Sequence, residues 1–381
     1  MEWKEYSLGD ISKLKYGKNV SAKLCKGPVP IFSGYRKIGT CNTINCKKNT
    51  VIVIARGVGG CGDVKLTKED CFLTNLSISV ELDKGICNAK WFYYNHLLNN
   101  LSFLNSGSAQ PQITIDSLSK YLIRIPPIII QRKIAGILSA LDSKIENNNK
   151  INANLEAQAE ALFKSWFVDF TPFKDQPFVD SELGPIPQGW KVGKLGDIGE
   201  IVGGSTPSKS KPEYYTTHGI AWLTPKDLST SKAKFTSRGE IDITDEGYNS
   251  TSTKLMPRGS VLFSSRAPIG YLTIAKNEIC TNQGFKSLVP NGAGTGFIYY
   301  TLRHLTPQIE NRATGSTFKE ASATLMRSVE TIVPPTSILN KFEELLRPIL
   351  QFQEKKEEEN QRLAALRDTL LPKLMSGEIK L

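Results

Sequence analysis

The feature that most constrains this chain is an internal repeat. Short stretches of its first half recur in its second half at nearly constant spacing. One offset, which we call the early offset, relates Trp3 to Trp190 and LGDI at 8–11 to LGDI at 195–198. A slightly larger one, the late offset, relates His96 to His304, GS at 107–108 to GS at 315–316, and PP at 126–127 to PP at 334–335, and Arg56 and Arg266 lie within two positions of it. Markers that keep their spacing over such a length predict two copies of one folding unit, each of about 190 residues.

Length and composition fit this division. A chain of 381 residues exceeds what one hydrophobic core normally organises, so at least two domains are expected. It lacks the run of about 18 apolar residues that would cross a membrane, and its first residues, MEWKEYSLGD, are polar and acidic rather than typical of a signal peptide. Seven cysteines, six of them before residue 90, fit a reducing cytoplasm better than a disulfide framework. We therefore expect a cytoplasmic protein with no membrane partner.

The net charge of +11 is concentrated in two segments. Residues 1–125 hold 17 Lys and Arg against nine Asp and Glu, and residues 191–333 hold 17 against 12. The segments that follow each of them, 126–175 and 334–381, are balanced. Basic segments attract polyanions, and nucleic acid is the first such partner to consider. A basic protein without a polyanionic partner is the competing interpretation of the charge.

Each copy has the same internal order. Short β-branched runs, VIVIA and NLSISVEL in the first copy and SVLF and YLTIA in the second, predict strands in a mixed domain. A proline pair then precedes a long pattern of apolar residues at three- and four-residue spacing, from Gln131 to about Trp166 and from Ile338 onward. The pattern predicts two long helices.

The apolar stripes of these helices are narrow, and a polar residue interrupts each of them. Asn148 lies within ENNNKINAN, and Lys356 lies within EKKEEEN. Such interruptions are typical of coiled coils, where they fix register and partner, although an amphipathic helix packed on its own domain is the alternative. About 36 residues at 1.5 Å each give a rod about 55 Å long, which exceeds the face of one small domain and favours pairing of the two helices.

The sequence contains no recognisable catalytic constellation. His96 and His304 occupy matching repeat positions and are interpreted as structural, and no glycine-rich phosphate loop has the required spacing. Four cysteines of the first copy lack the C-x-x-C spacing of a zinc site, so neither a metal nor a cofactor is expected. A binding protein is therefore favoured over an enzyme. A self-contained DNA-modifying enzyme with an unrecognised active site is the main alternative, and a coiled-coil scaffold is a weaker one.

These features, in this order and twice over, resemble one family along the whole chain. The most specific stretch is LEAQAEALFKSWFVDFTPF, residues 155–173, which closes the first helical region. PIPQGWKVGKLGDI at the start of the second copy and RDTLLPKLMSGEI near the end of the chain are similarly typical. The chain resembles the specificity (S) subunit of type I restriction-modification systems.

The resemblance implies an α+β fold with an internal pseudo-two-fold repeat, in which two mixed α/β target recognition domains are each followed by a long helix. The two helices would pair as an antiparallel coiled coil. The expected segments are the first recognition domain 1–125, the first helix 126–175, a linker 176–190, the second recognition domain 191–333 and the second helix 334–381.

The resemblance also implies partners. The chain would read a bipartite double-stranded DNA target and dock methyltransferase (M) subunits, expected to be two, which bring S-adenosylmethionine. Restriction (R) subunits would join the full complex and bring ATP-driven translocation and cleavage. None of this chemistry would belong to the chain itself, which would bind no cofactor.

Candidate DNA contacts follow from comparing the copies. Arg56 and Arg266 follow apolar runs and precede Pro- or Gly-rich turns, so they could clamp phosphate, brace the loop or read guanine. Because domains that read different sequences should differ at base-reading positions, agreement between the copies favours the phosphate or bracing role. Residues that differ between the copies, or whose side-chain amides and hydroxyls could address base edges, are the other candidates. They are Ser33, Tyr35, Arg36, Lys37, Thr74, Asn75, Gln110 and Gln112 in the first copy, and Lys209, Lys211, Lys226, Lys232, Thr281, Asn282 and Gln283 in the second.

Overall fold

The chain forms a mixed α/β structure with two long helices. The computed structural model describes residues 3–21, 26–57, 60–106, 111–231, 233–266, 268–315 and 319–381. Two compact units divide the chain: the first unit comprises residues 1–146 and 360–381, and the second unit comprises residues 147–359. Each long helix therefore contributes one part to the first unit and the other part to the second.

The first unit contains a four-stranded antiparallel sheet and a three-stranded mixed sheet. Its strands are β1 (Lys4–Ser7), β2 (Ser12–Tyr16), β3 (Val29–Ser33), β4 (Arg36–Cys41), β5 (Val51–Ile54), β6 (Val64–Leu66), β7 (Phe72–Leu73), β8 (Ser77–Leu82) and β9 (Leu122–Ile125). Its short helices are α1 (Ala89–Leu98) and α2 (Ile115–Ser119). The sheet orders are β2-β8-β5-β6 and β4-β3-β7, while β1 pairs with β9. All four residues of β5 are buried because both faces of this strand are covered: Val51 and Val53 pack in the main core of the unit, and Ile52 packs in a second cluster with Leu73.

The long helices begin directly after the two proline pairs. They are α3 (Ile128–Phe167) and, in the second half of the chain, the last helix (Thr336–Ser376), numbered α9 below. Both start slightly before the predicted positions, because a proline pair excludes helix only at the residues that precede it. The last helix ends before Gly377, whose φ of 78° is the left-handed conformation that commonly terminates helices. The prediction of two long helices is confirmed.

The second unit carries a larger sheet. Its strands are β10 (Phe178–Val179), β11 (Ile186–Pro187), β12 (Lys191–Lys194), β13 (Gly199–Gly203), β14 (Tyr215–Thr216), β15 (Trp222–Leu223), β16 (Phe235–Thr236), β17 (Asp242–Ile243), β18 (Val261–Ser265), β19 (Ile269–Ala275), β20 (Cys280–Thr281), β21 (Lys286–Pro290) and β22 (Glu330–Val333). Its short helices are α4 (Leu195–Ile198), α5 (Pro225–Thr230), α6 (Asp245–Asn249), α7 (Thr295–Arg312) and α8 (Ala323–Ser328), and the long helix that closes the chain is α9. The main sheet has the order β13-β21-β18-β19-β16. The four β-branched runs all form strands as predicted: β5, β8, β18 and β19.

Strand pairing follows the two sequence offsets. In the first unit Tyr16 is opposite Ile78, and in the second Gly203 is opposite Lys286. Tyr16 and Gly203 are related by the early offset, whereas Ile78 and Lys286 are related by the late one. The pairs β1–β9 and β12–β22 follow the same rule. The two units therefore contain strand pairs of the same register.

Each unit has its own core, to which both long helices contribute. In the first unit Leu138 of α3 and Leu374 of α9 are buried with the β-branched residues of the sheet. In the second unit Phe163 and Phe167 of α3 pack with Phe342 of α9 and Phe297 of α7. Ring separations of 4.7 and 4.8 Å from Phe167 to Phe342 and Phe297 are those of edge-to-face aromatic pairs. The predicted segment boundaries at 125, 175, 190 and 333 are not tested by this division and stay predictions.

Candidate nucleic-acid interface

In the second unit the candidate residues gather where two strands end together. The parallel pair β15–β20 aligns Leu223 with Thr281, and the backbone N–H of Asn282 continues the pairing by donating to Leu223 O at 2.9 Å. Asn282 and Gln283 therefore follow a strand end, as the sequence predicts. The side-chain Oδ1 of Asn282 accepts the N–H of Gly284 at 2.8 Å, which fixes the turn that carries both amides.

A cavity of about 500 Å³ lies at this strand end, and we call it the strand-end cavity. Four candidates line it: Lys209, Lys226, Asn282 and Gln283. Its other lining residues are Thr206, Tyr215, Trp222, Thr224, Asp227, Glu240 and Ile241. Mixed aromatic, amide and charged groups around one concave surface are what a site for a planar polar group requires.

The polar side chains of the strand-end cavity are held by specific contacts. Gln283 is exposed, and its Oε1 accepts a hydrogen bond from the hydroxyl of Thr206. Asp227 accepts the N–H of Thr224 at 2.7 Å and the N–H of Glu240 at 2.9 Å. The ammonium of Lys226 lies 3.1 Å from Glu240 Oε2, with both side chains exposed. Two lysines and two carboxylates therefore line the cavity: Lys226 is paired with Glu240, and Asp227 is occupied by backbone donors.

Two further lysine candidates do not line this cavity. Lys211 is exposed, and its ammonium lies 3.0 Å from the hydroxyl of Tyr214 and 5.0 Å from the centre of that ring. The hydrogen bond with Tyr214 raises the pKa of Lys211. Lys232 lies outside the described residues.

The first unit has a related strand end with different side chains. The parallel pair β3–β7 aligns Phe32 with Leu73, and the N–H of Thr74 donates to Phe32 O at 2.9 Å. Thr74 is buried, with its hydroxyl 3.2 Å from Ser33 Oγ, and Asn75 beside it is half-buried. The first strand end thus carries the hydroxyl of Thr74 and the amide of Asn75, where the second carries the amides of Asn282 and Gln283.

The turn between β3 and β4 presents the remaining candidates of the first unit. Tyr35 has a φ of 61°, its ring stacks on Phe32 and its hydroxyl donates to Leu66 O at 2.9 Å. Burial raises the pKa of Tyr35 to about 12. Tyr35 is thus bonded within its own unit, whereas Arg36 and Lys37 on β4 are exposed. β4 is also the edge strand of its sheet, so one side of its backbone is without a neighbouring strand in that sheet.

Arg56 and Arg266 occupy matching bridges. Arg56 pairs through its backbone with Gln112, and Arg266 pairs with Glu320, so each arginine joins a strand end to a segment far downstream in the chain. The guanidinium of Arg266 lies 3.6 Å from Glu320 Oε2, and Lys286 approaches the other carboxylate oxygen at 3.3 Å. These contacts are those of a loop brace, and any contact with DNA stays a prediction. Gln110 lies outside the described residues.

Two glycines that the sequence did not single out are required at these strand ends. A Cβ on Gly17 would lie 2.1 Å from Thr74 O, and a Cβ on Gly204 would lie 2.1 Å from Thr281 O. No side chain fits at such distances, so only glycine permits the backbone to approach. The two glycines are related by the early offset, and this spacing was the available signal.

The described residues hold no group of three His, Cys, Asp or Glu side chains that could bind a metal ion. His96, at a repeat position, is buried with Nδ1 2.8 Å from Phe92 O, and burial lowers its pKa to about 4. Among the helices of the described ranges, none combines the length and apolar character needed to cross a membrane.

Comparison with known families decides the classification. The family model described as type I restriction modification DNA specificity domain matches residues 1–157 and 187–363. The chain belongs to this family. As a member of the specificity-domain family, it is 38% identical over 179 residues to the specificity subunit of the type I restriction enzyme MjaIX from Methanocaldococcus jannaschii. That alignment covers 44% of this chain and 41% of that subunit.

A second relative matches over nearly the full length. The HindI specificity subunit from Haemophilus influenzae is 26% identical over 470 aligned positions, which cover 99% of this chain and all of that subunit. Among solved structures, the crystal structure of the type I restriction-modification S subunit from M. genitalium is similar with a TM-score of 0.70 at 18% identity. The match covers 98% of this specificity-family chain and 96% of that one, and it shows a shared fold.

Proposed function

We propose that this chain is the DNA-recognition subunit of a type I restriction-modification complex, reading a bipartite target through two recognition domains, residues 1–125 and 191–333. The observation that carries the proposal is the pair of related strand ends. The same backbone hydrogen bond and the same tight glycine occur at both, while the side chains differ: Thr74 and Asn75 in one, Asn282 and Gln283 in the other. Two domains that share one fold but bind different DNA sequences should agree in their backbone contacts and differ in the side chains that face the bases.

The strand-end cavity is proposed to face DNA in the second domain. Asn282 and Gln283 present amides, which suit base edges, and Lys209 and Lys226 supply charge for phosphates. The positive excess of both recognition domains supports a polyanion as the ligand. In the first domain Arg36 and Lys37 are the proposed phosphate contacts, because they are exposed on an edge strand.

The long helices are proposed to form an antiparallel coiled coil within a pseudo-two-fold repeat. Asn152 pairs with Gln353 and Asn148 with Glu359, so residue numbers rise along one helix as they fall along the other. The strand pairs that recur at the early and late offsets support the duplication. Two methyltransferase subunits and the restriction subunits are proposed to assemble on this subunit, which itself transfers no methyl group.

Binding and transfer assays test this function. The purified chain, alone and with its methyltransferase subunits, is incubated with duplex DNA at increasing salt. We expect affinity to fall by about three orders of magnitude or more between about 50 and 200 mM salt if six or more phosphates are contacted. Methyl transfer should occur only when the methyltransferase subunits are present. Salt-independent binding, or methyl transfer by the chain alone, would contradict the proposal.

A matched pair of lysine variants sharpens the test. Lys209→Ala at the strand-end cavity should reduce the slope of log affinity against log salt by about 1, as expected for one lost phosphate contact. Lys254→Ala removes an exposed lysine that lies 4.0 Å from Glu200 and does not line the cavity, and it should leave the slope unchanged. Equal slopes for the two variants would remove Lys209 from the DNA interface.

A further inference from the structure

A buried lysine joins the second domain to both long helices. Lys234 precedes β16, and its side chain is only 8% exposed. Its ammonium donates to Glu156 Oε2 on α3 at 2.6 Å, to the hydroxyl of Tyr300 on α7 at 2.6 Å and to Gln353 Oε1 on α9 at 3.0 Å. An ammonium has three N–H donors, so these three acceptors use all of them. One side chain thus contacts three helices at once.

The acceptors of Lys234 are themselves bonded to one another. The hydroxyl of Tyr300 donates to Glu156 Oε2 at 3.1 Å, and Gln353 Nε2 donates to the same oxygen at 2.9 Å. Arg303 of α7 holds the other oxygen of Glu156 at 2.7 Å. Each group has a defined place because moving one breaks contacts with at least two others.

The main chain at Lys234 is held as firmly as its side chain. Glu357 of α9 accepts the N–H of Lys234 at 2.9 Å and the N–H of Phe235 at 3.1 Å. On the opposite side, Lys234 O accepts the N–H of Ile274 at 2.8 Å and the hydroxyl of Thr273 at 3.1 Å. The segment before β16 is therefore fixed between the sheet and α9.

Two partly buried ion pairs flank this network. Arg258 donates to both oxygens of Glu354 on α9, at 2.9 and 2.8 Å, and the ammonium of Lys276 lies 2.5 Å from Glu358 Oε1. One polar face of α9 is thus formed by Gln353, Glu354, Glu357 and Glu358. This face contacts three basic residues of the second unit: Lys234, Arg258 and Lys276. The contact between domain and helix in this unit is thus defined by directional polar bonds as well as by apolar packing.

Stability alone does not explain a buried lysine at this place. Burial lowers the pKa of Lys234. Burial also opposes the charge of Glu156, but the neighbouring ammonium of Lys234 outweighs this effect and lowers the pKa of Glu156. Buried ion pairs contribute little net stability compared with apolar residues of similar volume, because both ions lose their hydration. Their directional contacts, in contrast, distinguish one packing geometry from its neighbours.

We propose that Lys234 is a positioning residue that sets the orientation of the second recognition domain on the helices and thereby the spacing of the DNA that the subunit accepts. The inference rests on the proposed function. Spacing here means the gap, the number of unread base pairs between the two half-sites. A recognition domain held rigidly on the helices should bind DNA with one gap length. A domain whose contact with the helices is weakened should also bind DNA with neighbouring gap lengths. Lys234 acts through Glu156 and Gln353, since at 8% exposure it is not available to DNA.

The experiment compares gap preference in complexes with the methyltransferase subunits. The DNA motif that the wild-type complex methylates is determined first. Duplexes are then made with the native gap, with a gap one base pair shorter and with a gap one base pair longer. Lys234→Met should reduce the preference for the native gap by about tenfold while both half-sites stay the same. Glu156→Gln, which keeps the shape and removes the charge, should act in the same direction. Lys254→Met, an exposed lysine of the same domain, is the matched control and should keep the wild-type preference.

Salt dependence separates this role from a DNA contact. Lys234→Met should leave the salt slope of binding at its wild-type value, because no phosphate contact is lost. Unchanged gap preference in both variants, or a uniform loss of methylation at all gaps, would overturn the positioning role. A wild-type complex that methylates no bipartite motif would instead refute the proposed function, so the two failures are distinguishable.

Discussion

Asn148 of α3 donates a hydrogen bond to Glu359 of α9 across 3.1 Å, and Lys356 binds the same carboxylate oxygen at 2.8 Å. These are the two polar residues that interrupt the apolar stripes of the sequence, and both meet at one carboxylate in the second unit. Asn148 is fully buried. A buried polar contact of this kind allows one register of two helices and penalises the others.

Replacing the side-chain amide of Asn148 should therefore have opposite effects on the stability of the fold and on the precision of the helix register. Asn148→Leu is expected to raise the free energy of unfolding by about 1 kcal/mol, because an apolar side chain replaces a desolvated amide while Glu359 keeps Lys356. It should also broaden the range of gaps that are methylated. Chemical denaturation and gap-variant DNA measure the two effects. The exposed neighbour Asn147→Leu is the control, and a loss of stability in Asn148→Leu would show that the hydrogen bond outweighs burial.

Arg266 gives a prediction about base reading. Since its guanidinium faces Glu320, Arg266→Met and Glu320→Gln should each lower the free energy of unfolding by about 0.2–1 kcal/mol, as expected for a partly exposed ion pair. The two effects should be less than additive because the same contact is lost. The methylated motif should stay unchanged in both variants. A motif altered in its second half-site by Arg266→Met alone would show that this arginine reads bases.

Glu343 predicts a pH dependence. This residue of α9 accepts the N–H of Phe297 at 2.7 Å in the first turn of α7, and burial raises its pKa although the backbone hydrogen bonds of Phe297 and Gly296 oppose the rise. A carboxyl with a raised pKa binds its proton more tightly in the folded chain than in the unfolded one. Its contribution to stability therefore falls as pH rises from the usual carboxyl pKa through the raised one.

Glu343→Gln keeps the acceptor and removes the titration. Its stability relative to the wild type should therefore increase between about pH 4.5 and pH 7.5, measured by urea denaturation at both values. Glu343→Ala should lose about 1–3 kcal/mol at either pH, because the buried N–H of Phe297 is left without its acceptor. A relative stability of Glu343→Gln that declines with rising pH would contradict the sign of the shift.

The repeat, the long helices and the longest strands could be predicted because their signals are local. The proline pairs mark where α3 and α9 begin, and the β-branched residues of the run 51–54 predict a strand, which is β5. The polar interruptions at Asn148 and Lys356 were visible as breaks in a period. The contact of Lys356 with Glu359 is local, since the two residues lie three positions apart on α9. That Asn148 would bind the same carboxylate was not visible, because residues 168–335 separate α3 from α9 in the chain.

The candidate site was predicted only in part, because pairing between distant segments makes it. The strand-end cavity needs Thr206 beside Gln283, which lies far along the chain, and no local pattern indicates this contact. Lys234 looks like an ordinary surface lysine within SKAKF, and only the fold shows that it is buried. Tyr35 was a candidate because it differs between the two copies, while its hydroxyl contact with Leu66 depends on tertiary structure.

The central claim, that two separate domains read two parts of one DNA target, is tested most directly by exchanging one domain. Residues 1–125 are replaced by the corresponding domain of another specificity subunit, and the methylated motif is mapped in cells that also carry the methyltransferase subunits. We expect the half-site assigned to the first domain to change while the other half-site and the gap stay the same. A motif in which both half-sites change, or neither does, would contradict the account.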